Sequence, residues 1–111
     1  MKLVDLNEVK FDVFKVDEDG DVNCQNRGIT SLHGAPRFIQ GYFDCSHNQL
    51  TSLRGAPQSV KSFFECSHNK LTSLDGVPSI LMNNFYCHNN KITSLKKMLV
   101  SMNMQNYREI S

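Results

Sequence analysis

The sequence predicts a mostly-β repeat fold with α/β-type connections. Short parallel strands stack in register into one small solenoid, with a cap at each end. Three observations predict it. Cys24, Cys45, Cys66 and Cys87 stand 21 residues apart. Ile29, Leu50, Leu71 and Ile92 keep the same step, as do Leu32, Leu53, Leu74 and Leu95. Gly34-Ala35-Pro36 returns as Gly55-Ala56-Pro57 and again as Gly76-Val77-Pro78. A fixed period of this length marks a unit that cannot bury its apolar side alone, so three or more units must stack to make a core.

The 111 residues are enough for one domain. It divides into an N-terminal cap over 1–21, repeats over 22–95 and a C-terminal cap over 96–111. At the start, "FDVFKV" and "DVNC" flank the acidic run Asp17 to Asp21. The Asp-Gly pair inside that run reads as a tight turn, so a β-hairpin is expected to cap the first unit. A calcium loop is the competing reading of "DEDGD". Counted from Asp17, its sixth and twelfth positions are Val22 and Gly28, where glycine and an acid are needed, so the pattern fails.

Inside each unit the residues assign themselves to elements. Phe43, Phe64 and Phe85 precede a Cys by two, with Val22 in the same place in the first unit. That alternation is the period of a strand with one buried face. The run "CSHNQLTSL" from Cys45 then spaces its apolar residues by three, as a turning coil does. Gly-Ala-Pro ends any helix, because Pro36, Pro57 and Pro78 lack a backbone donor, so the return path is extended or 3₁₀. Asn48, Asn69 and Asn90 are expected to turn inward and bond to the backbone of the turn. After the last unit, Leu95, Met98, Leu99 and Met102 fall at i, i+3, i+4 and i+7, the stripe of an amphipathic helix laid over the last coil.

Composition narrows the function classes. The formal net charge is +1, which argues against a nucleic-acid binder held by phosphate attraction. Residues 1–23 carry seven acids and three bases, whereas the rest carries four acids and nine bases. No stretch approaches the roughly 18 apolar residues of a membrane span, and Asp5 and Glu8 interrupt the apolar run of a secretory leader. A cytoplasmic location and four free thiols are therefore expected. Cys45 with His47, and Cys66 with His68, raise the question of zinc. Zinc needs ligands that converge on one point, whereas here each Cys points into the core and each His lies where the strand turns off. No metal and no cofactor are expected.

The stretch "FDCSHNQLTSL", from Phe43 to Leu53, resembles the core of a leucine-rich repeat, in which an alternating apolar strand is followed by Asn and two further Leu. The resemblance runs through four units, from Val22 to Leu95. The short period and Pro-bearing return resemble the compact repeats of leucine-rich effectors from Gram-negative pathogens. The cadence Cys-Ser-His-Asn-x-Leu-Thr-Ser-Leu is also similar to small repeat proteins of tailed bacteriophages. Two end units depart from the pattern. Arg27 occupies the Asn position of the first, and Lys97-Met98-Leu99 replaces Gly-Ala-Pro in the fourth. The resemblance implies a curved leucine-rich-repeat solenoid whose parallel strands line a concave, protein-binding side. The phage-like cadence implies a host protein as partner and the host cytoplasm as the place of action. The catalytic ligase domain that accompanies some effector repeats has no counterpart in 111 residues.

The outward strand positions are the ones the core leaves free. They form four lanes: Asp21, Tyr42, Phe63 and Asn84; Asn23, Asp44, Glu65 and Tyr86; Gln25, Ser46, Ser67 and His88; Asn26, His47, His68 and Asn89. Aromatic side chains flanked by charge have the composition of a protein-binding hot spot. The partner-binding residues expected from this reading are Tyr42, Asp44, His47, Phe63, Glu65, His68, Tyr86 and His88. Carboxylates and imidazoles on equivalent rungs share one environment, with no pocket to separate their pKa values for acid–base catalysis. The expectation is a non-catalytic binding module, a small stand-alone inhibitor or adaptor. A self-assembling structural repeat protein, a homo-oligomer, is the alternative.

Overall fold

The computed structural model describes residues 12–93 and 107–108. Eight two-residue strands, β1 (Val22–Asn23), β2 (Phe38–Ile39), β3 (Phe43–Asp44), β4 (Ser59–Val60), β5 (Phe64–Glu65), β6 (Ile80–Leu81), β7 (Phe85–Tyr86) and β8 (Tyr107–Arg108), form two sheets. One runs β1-β3-β5-β7-β8 and the other β2-β4-β6. Both are parallel, and Val22, Phe43, Phe64 and Phe85 are successive partners. The 21-residue spacing of the sequence is thus the register of the sheet. Among the described residues there is no helix, and none long and apolar enough to cross a membrane.

The strands are short because each rung extends for only a few residues before it turns, yet the pairing is continuous. The Phe43, Cys45 and His47 amides donate to the carbonyls of Phe63, Glu65 and Ser67, at 3.0, 2.8 and 3.1 Å. Phe64, Cys66 and His68 repeat this onto Asn84, Tyr86 and His88. Between the two sheets lies the core. Phe43, Phe64, Phe85, the four Cys and Leu32, Leu50, Leu53, Leu71 and Leu74 are almost wholly buried. The Phe rings stack at 5.7 and 5.8 Å between centroids. Val22 is the small member of that column, and Phe14 makes up the width, stacking on Phe43 at 6.2 Å.

The turn after each coil needs its glycine for its backbone conformation, and Gly55 and Gly76 are needed for a close approach as well. Ala35, Ala56 and Val77 donate to the carbonyls of Leu32, Leu53 and Leu74, closing four-residue turns. The third residue of each is Gly34, Gly55 or Gly76, at φ of 97°, 91° and 91°, where a side chain is strained. A Cβ on Gly76 would also lie 2.4 Å from the Leu53 carbonyl carbon and the Arg54 nitrogen of the preceding rung. The Ser of each Thr-Ser-Leu holds the approach to this turn. Ser31, Ser52 and Ser73 accept from the amides two residues on, at 3.0 to 3.2 Å.

The structure differs from expectation in three places. The return path is extended, but it also pairs into a second parallel sheet, β2-β4-β6, which buries Ile39 and Val60 in a further apolar column. No strand occupies residues 12–21, so the expected β-hairpin cap is not formed there. Asp17 Oδ1 accepts the amides of Asp19 and Asp21, at 2.8 and 3.0 Å, curling the run into a turn. Val22 then donates to Tyr42, and β1 pairs in parallel with β3. The expected helical cap over 96–111 lies mostly outside the described residues, but at its end Tyr107 and Arg108 form a strand on β7. Phe85 pairs with Tyr107, a step of 22 residues, so a further rung follows where the repeat pattern had stopped.

Candidate binding face

The face is built from the residues that alternate with the buried columns. Once Phe43 and Cys45 turn inward, Tyr42, Asp44 and Ser46 must project to the other side of β3. The same holds for Phe63, Glu65 and Ser67 beside β5, and for Asn84, Tyr86 and His88 beside β7. Neighbouring rungs then bring like positions together. Tyr42 and Phe63 stack with centroids 4.6 Å apart and planes 11° from parallel. Phe63 meets Tyr86 edge to face at 6.2 Å. The Tyr86 hydroxyl is held by the Asn84 amide at 3.1 Å. Tyr42, Phe63 and Tyr86 thus form one half-buried aromatic strip that crosses three rungs.

The His lane forms a second strip. His47 and His68 stack at 4.2 Å and 9°, and His88 stands edge-on to His68 at 5.2 Å. The Asn89 amide nitrogen lies 3.1 and 3.0 Å from the two ring nitrogens of His68. His47 and His68 have φ of 56°, as do Asn26 at 56° and Asn89 at 55°. This is the left-handed region, which Asn and His enter more readily than most residues. The chain turns off the strand there, which throws these rings outward and leaves the following Asn pointing inward.

That inward Asn ties the rungs together. Asn69 Nδ2 donates to the carbonyls of Cys45, Cys66 and Ser67, and its Oδ1 accepts the Leu50 amide at 3.0 Å. Asn48 and Asn90 make the same contacts one rung to either side. Asn48 Oδ1 accepts two amides, those of Arg27 and Ile29, because the first unit has no Asn of its own at that place.

The acids are fixed by their own rung. Asp44 Oδ1 accepts the Ser46 amide and hydroxyl, at 3.0 and 2.6 Å. Glu65 Oε1 accepts the Ser67 amide at 2.9 Å and the Ser67 hydroxyl. That hydroxyl has one proton, which goes to Glu65, so His88 Nδ1, 2.9 Å away, is the donor to Ser67 Oγ. Ser46 and Ser67 are buried, although they belong to an outward lane. They are the small members of that lane, covered by the acids beside them and, for Ser67, by His88 on the next rung. A nucleophilic Ser–His–acid group needs the acid on the imidazole and the Ser open to substrate. Here the acid binds the Ser, and the Ser is closed off.

The thiols lie on the opposite side of the strands. Burial, then the Asp44 carboxylate, pushes the Cys24 thiol up to about 12. Burial raises Cys45 and Cys66 as well. The Cys24 and Cys66 thiols donate to the carbonyls of Asp44 and Tyr86, at 3.3 and 3.4 Å. Among the described residues one group of acids could offer ligands to a cation: Asp17, Asp19 and Asp21, whose oxygens lie within 4.8 Å of one another. Their grouping follows from the turn, because Asp17 Oδ1 accepts two of its amides and Asp21 Oδ1 accepts the Tyr42 amide at 2.8 Å.

The expected site residues therefore fall into two adjoining strips on one face, Tyr42, Phe63 and Tyr86 with Asp44 and Glu65, and His47, His68 and His88. No family model matches this chain, and no curated protein and no solved structure is found to be similar to it.

Proposed function

We propose that this protein is a non-catalytic protein-binding module of the leucine-rich-repeat kind, a short solenoid that binds through the face of the larger sheet. The observation that carries the reading is the stacked aromatic strip Tyr42–Phe63–Tyr86, which the core does not require and which stays half-exposed. Large aromatic side chains set in a fixed, partly desolvated surface are the usual anchors of protein interfaces. The closed Ser67 and its acid-to-serine wiring support the absence of hydrolytic chemistry. The phage-like cadence supports an inhibitor or adaptor that acts on a host protein in the cytoplasm.

The test compares three proteins as bait in a host lysate: the parent, Phe63→Ala on this face, and Phe38→Ala, an exposed side chain on the other sheet. A partner held by the parent and by Phe38→Ala, but lost from Phe63→Ala, supports the assignment. The reverse pattern moves binding to the other sheet. A second reading rests on that sheet, where Phe38, Ile80 and Met82 are exposed apolar side chains. Association of copies through it would make a structural homo-oligomer, and the solution mass of Phe38→Ala against the parent tests this.

A further inference from the structure

We infer that the partner presents arginine side chains from an extended protein segment to the face, with a guanidinium seated on Tyr42 between the carboxylates of Asp21 and Asp44 and a second beside Glu65. The inference rests on the proposed binding role of the face and names the chemistry of what binds there.

Charge is the first ground. No Lys or Arg occupies any position of the four lanes, although the chain holds 12 of them and has a net charge of +1. The described bases Lys15, Arg27, Arg37, Arg54, Lys61, Lys70 and Lys91 fall at other places, and Arg108, paired with Tyr86 on β8, is a base at the far end of the second lane. Asp21, Asp44 and Glu65 occupy three successive rungs, so the face is acidic over β1, β3 and β5, on a chain that is not.

The second ground is how the acids are held. Asp44 and Glu65 are oriented by their serines through one oxygen each, which leaves the other oxygen for a ligand. Such bonds hold a carboxylate in one rotamer, which lowers the ordering cost of a charge-assisted contact.

The third ground is the ring between the acids. Phe63 covers one face of Tyr42, while the next lane position on its other side is Asp21, which is no ring. After burial, the carboxylates of Asp21, Asp17, Asp44 and Asp19 all raise the Tyr42 phenol, so this ring sits in a concentrated negative field. A cation over an aromatic face gains from the ring quadrupole, and arginine adds planar stacking and a fork of donors that fits a carboxylate. Lysine satisfies only the charge. An extended segment fits because it repeats side chains on one side about every 6–7 Å, a spacing of the same order as one to two rungs.

The test uses the full chain and three synthetic peptides: an Arg-Gly-Ser repeat, the same peptide with citrulline in place of Arg, and a Glu-Gly-Ser repeat. Citrulline keeps the shape and removes the charge. Aromatic NMR shifts report contact at Tyr42 and Phe63, and anisotropy reports affinity. The Arg peptide is expected to shift both rings, and the citrulline peptide to bind at least roughly tenfold more weakly, equivalent to ~1.4 kcal/mol. Asp44→Asn with Glu65→Gln, which keep the acceptors for Ser46 and Ser67, should weaken the Arg peptide to a similar degree. Equal binding of the Arg and citrulline peptides overturns the inference, as does Arg binding that leaves the Tyr42 ring unmoved, or no binding. If the citrulline or Glu peptide shifts these rings and the Arg peptide does not, the face binds protein segments but not cations, and the proposed function stands without this inference.

Discussion

Replacing Asn69 by alanine should cost about 3 kcal/mol of stability, a loss that follows from its bonds one by one. Asn69 is 8% exposed and makes four contacts with backbone. Three of the groups it touches keep another partner. The Cys45 carbonyl keeps the Asn48 amide at 3.0 Å, the Cys66 carbonyl keeps that of Asn90 at 3.0 Å, and the Ser67 carbonyl keeps the His47 N–H at 3.1 Å. The Leu50 N–H keeps none and is left buried and unpaired. An orphaned buried amide costs about 1–3 kcal/mol, and the two lost N–H donors add about 0.5–1.5 kcal/mol each. Asn69→Asp separates the two sides of the contact. It keeps the acceptor for Leu50 but turns a second acceptor on three carbonyls, so at neutral pH it should be worse than alanine. Protonation gives that side chain one donor, so the deficit should shrink as pH falls towards the free carboxyl value of about 4. Urea unfolding of parent, Asn69→Ala and Asn69→Asp at neutral and acid pH measures all of this. An alanine variant within about 1 kcal/mol of the parent, or an aspartate variant as stable as the parent at neutral pH, would refute the reasoning.

Gly76→Ala and Gly34→Ala form a matched pair: both residues have strongly positive φ, but only Gly76 lies against the preceding rung. Gly34→Ala should lose about 1–2 kcal/mol from backbone strain alone, and Gly76→Ala clearly more; equal losses in thermal melts would dismiss the close approach. The thiols predict an alkaline limit. Cys24, Cys45 and Cys66 are raised in the folded chain from an ordinary 9.0, so the folded and unfolded states hold the same thiol protons below pH 9. Above it the unfolded chain releases protons that the folded chain keeps, and stability falls by about 1.4 kcal/mol per pH unit for each such thiol. The urea midpoint should therefore drop between pH 9 and 11, and less steeply for Cys45→Ala; parallel curves would mean that the thiols do not carry the effect.

The columns with a clear step were legible in the sequence. Among the described residues, the Phe and Cys columns, the two Leu columns and the inward Asn sit where their spacing put them, because one buried face leaves no other register. The second sheet was missed, although Ile39, Val60 and Leu81 keep the same step. Pro36, Pro57 and Pro78 excluded a helix from that stretch without showing that its extended segments pair, and its two-residue strands are too short to alternate visibly. The left-handed column was open to reading, since Asn26, His47, His68 and Asn89 are all of types that tolerate positive φ. The burial of Ser46 and Ser67 was not, because it depends on side chains of adjoining rungs closing over a small residue. At the N-terminus the Asp-Gly turn was real, but the strand after it, β1, pairs with β3, and residues 12–16 before it form no strand.

The shared carbonyls have a consequence for size. Cys45 and Cys66 each accept from the Asn of their own rung and from that of the next, so every rung completes the one before it. A chain built this way can be lengthened or shortened only in whole periods. Excising 21 residues between β3 and β7 would leave each bond a homologous partner, whereas excising 20 would leave almost none. The single step of 22, from Phe85 to Tyr107, spans the one unit whose sequence lacks Gly-x-Pro. The reach of the face is therefore quantised at ~4.8 Å per rung, and a change of footprint on a partner is a change in an integer.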